Sequence, residues 1–357
     1  MSRVSNAGLY GTAFLFALLS SEARAVTFDI TGTTVGPGNA TANALAVSAL
    51  ENVVNRGLFP SGSEDSFLGQ MGNSNALASR GLESDPLLTP GLIVVGAGFG
   101  VGETGSLRGG AGAKKNSLPG VGVSGQGSIL FGGPASLFGL KTDFLGLSVQ
   151  RLTFFGNFMT LSFDNAVQDL KLGMTTFGVG AQYVLVPEAY RIRAFRWGGL
   201  TVSSGLQYAF SRVSYYTKFN SNDSSSGSVN MNWDAAGDLG VRSSVVTIPI
   251  QFTSSVTLLY VATLYTGLGA DLNFGSSHLE GNVTGPVVGK DSGNTTVFTG
   301  TGTLDTQAAN TVSPSFLSVR GLVGAQVNLG TLKIFAQYNR SFSTNGNAGT
   351  AGLKLAF

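Results

Sequence analysis

Between Gly91 and Phe357 the apolar side chains recur at every second residue, over runs longer than a soluble protein's strands need. In "LTVSSGLQYAF", Leu200, Val202, Leu206, Tyr208 and Phe210 share one face, while Thr201, Ser203, Gly205, Gln207 and Ala209 share the other. "LLYVATLYTGLGADLNF", "LSVRGLVGAQVN" and "LKIFAQYN" repeat the pattern, with apolar residues on one side and small, polar or charged residues on the other. A period of two is the signature of a β-strand. Strands of soluble sheets average about 5–6 residues, whereas a strand that crosses a bilayer needs about 9–11. Beyond residue 25 no apolar run approaches the roughly 18 residues of a membrane helix. A closed β-barrel is the remaining structure that satisfies every backbone group in lipid.

Composition agrees. The 357 residues are 43% hydrophobic but only 11% charged, against about 25% charged in ordinary soluble domains. That balance excludes a disordered chain. The net charge of +2 is spread out, so no basic patch points to nucleic acid. No cysteine is present, which removes disulfides and thiolate chemistry. No residue pattern implies a cofactor. At the start, "MSRVSNAGLYGTAFLFALLSSEARA" has a basic head at Arg3, an apolar stretch and a small-x-small ending at Ala23-Arg24-Ala25. Residues 1–25 therefore read as a secretory signal.

Residues 26–90 carry a different pattern. Val47, Leu50, Val54 and Leu58 lie at helical spacing, and Ser61 stands three residues before Glu64 as in a capping box. Two short helices are expected at 41–58 and 61–81. From Gly91 onward ten strands are expected: 91–104, 119–132, 144–161, 170–186, 198–217, 237–252, 256–277, 314–328, 331–343 and 348–357. The third is interrupted near Arg151-Leu152, by a bulge or a break into two. Short connections at Thr253–Ser255 and Leu329–Gly330 alternate with long Ser/Asn/Gly/Thr-rich ones at 218–236 and 278–313, which read as solvated loops. Outer-membrane barrels have short periplasmic turns and long outer loops. The expected fold is thus all-β: a transmembrane antiparallel β-barrel of about ten strands (8–14 remain open) spanning 91–357, preceded by a helical segment at 26–90.

The inner faces of the first two strands are unusual. Gly96, Gly98, Gly100 and Gly102 alternate with Val95, Ala97, Phe99 and Val101, and Gly122, Ser124, Gln126 and Ser128 follow on the next strand. Glycine in a strand marks the close approach of another backbone, so the helices at 41–81 are candidates for a lumen plug. The alternative is that these glycines only relieve barrel curvature. The candidate lumen charges are Asp271, Arg320, Lys333 and Lys354. They would give an open pore weak anion preference, or seal a narrow one by pairing.

Other candidate chemistry is thin. "GVGVSG" at 120–125 is not placed between a strand and a helix, so a dinucleotide site fails. The lone histidine, His278, lies near Ser277 and Glu280 in a stretch expected to be a loop. It is a solvated side chain or, in an enzyme reading, part of an outer-membrane hydrolase. Arg191, Arg193, Arg196 and Trp197 read as an interfacial belt on the periplasmic side.

"TAGLKLAF" closes the sequence. It resembles the C-terminal assembly signal of bacterial outer-membrane β-barrel proteins, with Thr350, Gly352, Leu355 and Phe357 at its polar, glycine, apolar and terminal aromatic places. The resemblance implies recognition by the barrel-assembly machinery, a bacterial outer-membrane location, and outer-membrane lipid and lipopolysaccharide as surroundings. A second resemblance lies in "NALASRGLESDPLLTPGL" at 75–92. There Ala76, Ala78, Gly81, Asp85, Pro86, Pro90, Gly91 and Leu92 match in order the lead into the first strand of the long-chain fatty-acid transporter family. Thr89 replaces that family's Asn, an alanine is missing after the proline, and the chain is short for that family's larger barrel. The expected function is an outer-membrane channel or passive transporter for small or hydrophobic solutes. The alternative is a surface adhesin or structural protein acting through its loops.

Overall fold

The period-two segments pair with one another and close into a ring. The computed structural model describes residues 27–34, 44–50, 63–82, 92–105, 121–140, 147–167, 170–192, 194–223, 229–305 and 311–357. The expected signal at 1–25 lies outside them. The strands are β1 (Thr27–Thr34), β2 (Val94–Gly105), β3 (Val121–Pro134), β4 (Leu152–Val167), β5 (Leu170–Val186), β6 (Ala189–Ile192), β7 (Phe195–Asp223), β8 (Val229–Leu258), β9 (Ala262–Asp291), β10 (Thr296–Asp305), β11 (Leu317–Leu329), β12 (Leu332–Ser341) and β13 (Gly346–Ala356). Residues 44–50 form helix α1, and Ser63–Ala78 form α2.

Ten of the described strands make the barrel. In order they are β2, β3, β4, β5, β7, β8, β9, β11, β12 and β13, each antiparallel to the next. The ring closes where β13 pairs β2, from Ala356↔Val94 to Asn347↔Glu103. Phe357 and Ile93 extend this seam by exchanging main-chain hydrogen bonds of 2.9 and 3.0 Å. Closure leaves the barrel no open edge.

The wall is inverted relative to a soluble protein. Phe99, Ile129, Leu268 and Leu353 face outward and are 49%, 54%, 64% and 53% exposed. Gln126, Asn157, Gln207 and Asn339 face inward and are buried. An apolar surface wrapped around a polar interior is the arrangement a bilayer demands. The fold is a transmembrane β-barrel.

Several expectations need correction. Residues 149–151 form a 3-10 turn, and the third barrel strand begins only at Leu152. The short connection expected at Thr253–Ser255 lies inside β8; the hairpin is six residues later, where Leu259 and Tyr260 adopt φ of 48° and 61°. No Gly or Asn marks that turn. The helical reading of 26–90 fails at its start, because Thr27–Thr34 is a strand.

The largest correction concerns the long loops. Most of 218–236 and 278–313 belongs to strands: β7, β8 and β9 run 29, 30 and 30 residues. β9 continues past Leu272, its last pairing with β11, all the way to Asp291. That is on the order of 60 Å of extended chain. β10 folds back on β9, and β1 adds to β10. The resulting extension covers an apolar core of Phe28, Leu50, Leu68, Met231, Trp233 and Val287. Phe28 and Trp233 pack with ring centroids 4.4 Å apart. α1 therefore belongs to this core and not to the glycine wall.

These placements thread the chain through its own barrel. β1 sits on the extension, α2 runs inside the ring, and β2 starts at the opposite, short-turn rim.

Candidate functional site

α2 reads "SEDSFLGQMGNSNALA", a helix too small and polar to be held by an apolar stripe. Its interior Gly69 and Gly72 each cost about 1 kcal/mol against Ala. They thin the helix instead: a methyl group at Gly72 would stand 3.1 Å from Ser277 Oγ and 3.2 Å from Pro314 Cβ. The first turn carries Asp65, the sign that suits a helix N-terminus. Past the last turn, Gly81 takes φ of 89°, a left-handed value that ends the helix.

The facing wall is the glycine run. A methyl group at Gly100 would collide with the Ala78 carbonyl oxygen, and one at Gly122 with the Gln70 carbonyl. At Gly102 it would stand 2.6 Å from Ser74 O, and at Gly98 2.8 Å from Leu82 Cδ2. Gly100, Gly102 and Gly122 lie against the helix backbone, which curvature alone does not account for, whereas Gly96 faces the neighbouring strand at Leu353 and Lys354. Thr104 Oγ1 donates to Gln70 O at 2.7 Å, and Thr350 Oγ1 donates to Arg80 O at 2.7 Å.

On its other side α2 is held by Asn75, which is fully buried. Its Nδ2 donates to Ala209 O at 3.0 Å and to Ser243 O at 3.3 Å. Its Oδ1 accepts from Ser124 Oγ at 3.3 Å and from Gln126 Nε2. Gln126 Oε1 in turn accepts from Thr176 Oγ1 at 2.6 Å. One side chain of the helix thus ties together β3, β7 and β8, and through Gln126 it reaches β5.

Below the helix sits a buried ion cluster. Asp271 Oδ2 lies 2.9 Å from Arg320 Nε and 3.7 Å from Arg80 Nε. Arg320 also donates from Nη1 to Asn339 Oδ1 at 2.9 Å and from Nη2 to Gln251 Oε1 at 2.8 Å. Arg80 follows directly on α2, so the cluster joins plug to wall. Leu82 then packs on Leu130 and Phe335.

Beyond that seal the barrel opens at the short-turn end into a vestibule of about 530 Å³. Arg151, Arg196, Lys333, Gln182, Gln326 and Asn328 are among its lining residues. Glu188 also lines it and forms an ion pair with Arg196.

The four expected lumen charges therefore do different things. Asp271 and Arg320 pair with each other. Lys354 is buried, with Nζ 5.7 Å from the centre of the Phe335 ring. Lys333 alone of the four lines the vestibule. The expected C-terminal signal residues have local partners as well: Thr350 holds the plug, Gly352 leaves room for the Phe335 ring, and Leu355 and Phe357 face outward. His278 is in β9 and not in a loop. Ser277 points to the opposite face, buried and donating to Ser243 Oγ at 2.9 Å, while Glu280 pairs with Arg212. No catalytic pairing of His278 and Ser277 exists. Trp197 Nε1 donates to Ser254 Oγ at 2.9 Å; Arg193 and the Arg191 side chain lie outside the described residues. Arg80 and Asn75 escaped sequence reasoning. Their one available signal was position: polar side chains on the segment suspected of entering the lumen.

A model of the Lsa36-like family matches residues 27–357. No curated protein sequence matches the chain. Among solved structures, the transport unit of the autotransporter AIDA-I from Escherichia coli is 11% identical over 82% of this chain and 99% of its own, with a TM-score of 0.35. The toluene transporter TbuX of Ralstonia pickettii is 9% identical over 83% and 97%, with a TM-score of 0.25. A Pseudomonas aeruginosa FadL homologue is 10% identical over 81% and 97%, with a TM-score of 0.20. These overlaps are partial, and the fold rests on the pairing of the chain's own strands.

Proposed function

The chain belongs to the Lsa36-like family, and from that premise and the geometry we propose that it is a bacterial outer-membrane channel held shut by its own helix α2. The observation that carries this reading is the chemistry of the plug. Between Gln70 and Arg80 the plug meets the wall through hydrogen bonds and glycine backbone, with apolar contacts confined to its two ends, at Leu68 and Leu82. Water can replace hydrogen bonds of that kind as the helix leaves, because each contributes only about 1 kcal/mol net. Amides and hydroxyls line the space vacated, which suits small hydrophilic solutes better than hydrophobic ones. By the usual orientation of such barrels the vestibule faces the periplasm and the extension the exterior. The C-terminal residues Thr350, Gly352, Leu355 and Phe357 serve as the signal for the barrel-assembly machinery, and lipopolysaccharide surrounds the outer half of the wall.

Planar-bilayer conductance tests the reading. The full-length protein is expected to show rare, brief openings, and a variant lacking residues 63–82 a steady conductance. A folded deletion variant that conducts no better than the full-length protein overturns it. The extension supports a second reading, a platform that displays β1 and β7–β10 to an external partner. A chain that is mute in bilayers, but whose extension retains a ligand from the medium, favours that second reading.

A further inference from the structure

We infer that the vestibule at the short-turn end is a binding site for a small hydroxylated anion, a carboxylate or phosphate head on a polyol body. Its role as cargo rests on the channel reading; binding itself needs only the closed barrel.

Charge is the first argument. Arg151, Arg196 and Lys333 line one cavity with a single carboxylate, Glu188, which Arg196 already engages. Neither Arg151 nor Lys333 has an ion-pair partner among the described residues. Like charges gathered around a cavity with low-dielectric walls focus the field and favour an anion there. A guanidinium and an ammonium together supply the donors that carboxylate and phosphate oxygens accept.

Polar wiring is the second, and it selects hydroxyl groups. Thr257 and Thr263 share a hydrogen bond of 3.0 Å, Asn328 Nδ2 donates to Thr263 Oγ1 at 3.0 Å, and Gln326 Nε2 donates to Asn328 Oδ1. That chain fixes the Gln326 amide. Its Oε1 is left buried without a hydrogen-bond partner, on a side chain only 3% exposed that lines the cavity. A buried acceptor held in place calls for a donor, and a carboxylate or a fully ionised phosphate has none to give. A hydroxyl on the body of the same molecule does.

Size is the third. The cavity, about 530 Å³, has the dimensions of a small-ligand pocket. Its lining includes Thr253, Thr257 and Thr263, hydroxyl-bearing residues that suit a polar ligand. Thr253, on the vestibule wall, accepts from Gln251 Nε2 at 3.1 Å, and Gln251 Oε1 accepts from Arg320. The site is thus one hydrogen-bonded residue away from the ion cluster that holds the plug.

Calorimetric titration of the full-length protein in lipid-free nonionic micelles at fixed ionic strength tests the site. The probes are gluconate and glycerol 3-phosphate, with hexanoate as an anion lacking hydroxyls and glycerol as a neutral polyol. Gluconate and glycerol 3-phosphate are expected to bind, and hexanoate and glycerol to bind at least about tenfold more weakly, a difference of about 1.4 kcal/mol. The double variant Arg151→Gln/Lys333→Gln is expected to lose affinity for both anions by tenfold or more. Gln326→Leu is expected to bring gluconate down toward hexanoate while leaving hexanoate unchanged. Heat-modifiable mobility on gels reports whether each variant is folded. Absence of binding, equal binding of hexanoate and gluconate, or indifference to the double variant each overturns the inference. So does occupancy by phosphatidylglycerol in nanodiscs with no response to either free anion, which makes the cations a lipid headgroup contact. Because titration needs no conduction, binding by a protein silent in bilayers keeps this site and removes only the channel.

Discussion

β8 shows two solvents along one strand. Its odd-numbered residues face inward throughout. In the extension they are Val229, Met231, Trp233 and Ala235, all buried; in the barrel they include Ser243, Thr247, Gln251 and Thr253, also buried. The even-numbered face changes the opposite way, from Asn230, Asn232 and Asp234 to Ile250 and Phe252. Neither face changes parity, yet each changes chemistry between Ala235 and Ser243. Above that point the strand obeys the rule of a soluble sheet, apolar within and polar without. Below it the rule is reversed, as lipid requires. The two regions are consequently stabilised by different forces. The extension relies on burial of aromatic and aliphatic area, the barrel interior on hydrogen bonds among polar side chains and on the Asp271–Arg320 ion cluster.

The largest expected effect comes from breaking the barrel's half of this comparison. Asp271→Ala leaves the guanidinium group of Arg320, fully buried, without the carboxylate 2.9 Å from its Nε. Removing one partner of a buried ion pair costs about 3–5 kcal/mol. The urea midpoint of unfolding in micelles is expected to fall accordingly, with the extension's resistance to protease outlasting the barrel's heat-modifiable mobility. A midpoint that does not move means the cluster contributes no stability.

A matched pair of charge insertions tests the reversal itself. Ile250→Lys places an ammonium on the outer face of the barrel, where a lysine near the bilayer midplane costs about 2–4 kcal/mol. Asn232→Lys places the same group on the outer face of the extension, where a surface substitution stays within about 0.5 kcal/mol. Refolding into vesicles with a urea titration measures both. Equal costs at the two sites mean that water or lipid reaches both, and the boundary disappears.

Next in size is the plug. Asn75→Ala deletes the side chain that joins α2 to β3, β7 and β8 and takes one acceptor from Gln126 Nε2, which keeps its bond to Phe210 O at 3.1 Å. Leaving a buried polar partner unsatisfied costs about 1–3 kcal/mol. The loss falls on the plugged state and not on the ring, so the open probability in planar bilayers is expected to rise about tenfold for each 1.4 kcal/mol, with little change in the barrel's own unfolding. An unchanged open probability detaches Asn75 from gating.

Sequence legibility followed the same division. The ring of ten strands was readable because lipid on one side and a polar lumen on the other force period two over long runs. The glycine wall was readable because nothing but glycine lets a helix backbone approach a strand so closely. The extension was not, because its Ser, Asn and Gly content imitates a loop. Yet Val229, Met231 and Trp233 alternated there all along, and weighing period above composition finds it. Arg80 was unreadable for another reason: it follows a helix end, and its partner Asp271 lies in β9, so no local spacing relates them. The hairpin at Leu259–Val261 carries no turn residue, so its sequence passes for uninterrupted strand.

The smallest expected effect lies at the boundary. On the outer face, just below the polar extension, Lys171 Nζ lies 3.0 Å from Asp238 Oδ2, with side chains 44% and 45% exposed. Arg212 and Glu280 pair nearby. An ion pair in contact with water contributes about 0–1 kcal/mol. Lys171→Gln should therefore shift the unfolding midpoint by little at low salt. The shift should vanish near 1 M salt, where the Debye length is about 3 Å. The same experiment locates the water line. If Lys171→Gln costs as much as Asp271→Ala and ignores salt, the pair is buried in hydrocarbon, and the lipid extends upward past Asp238 into the region assigned to water.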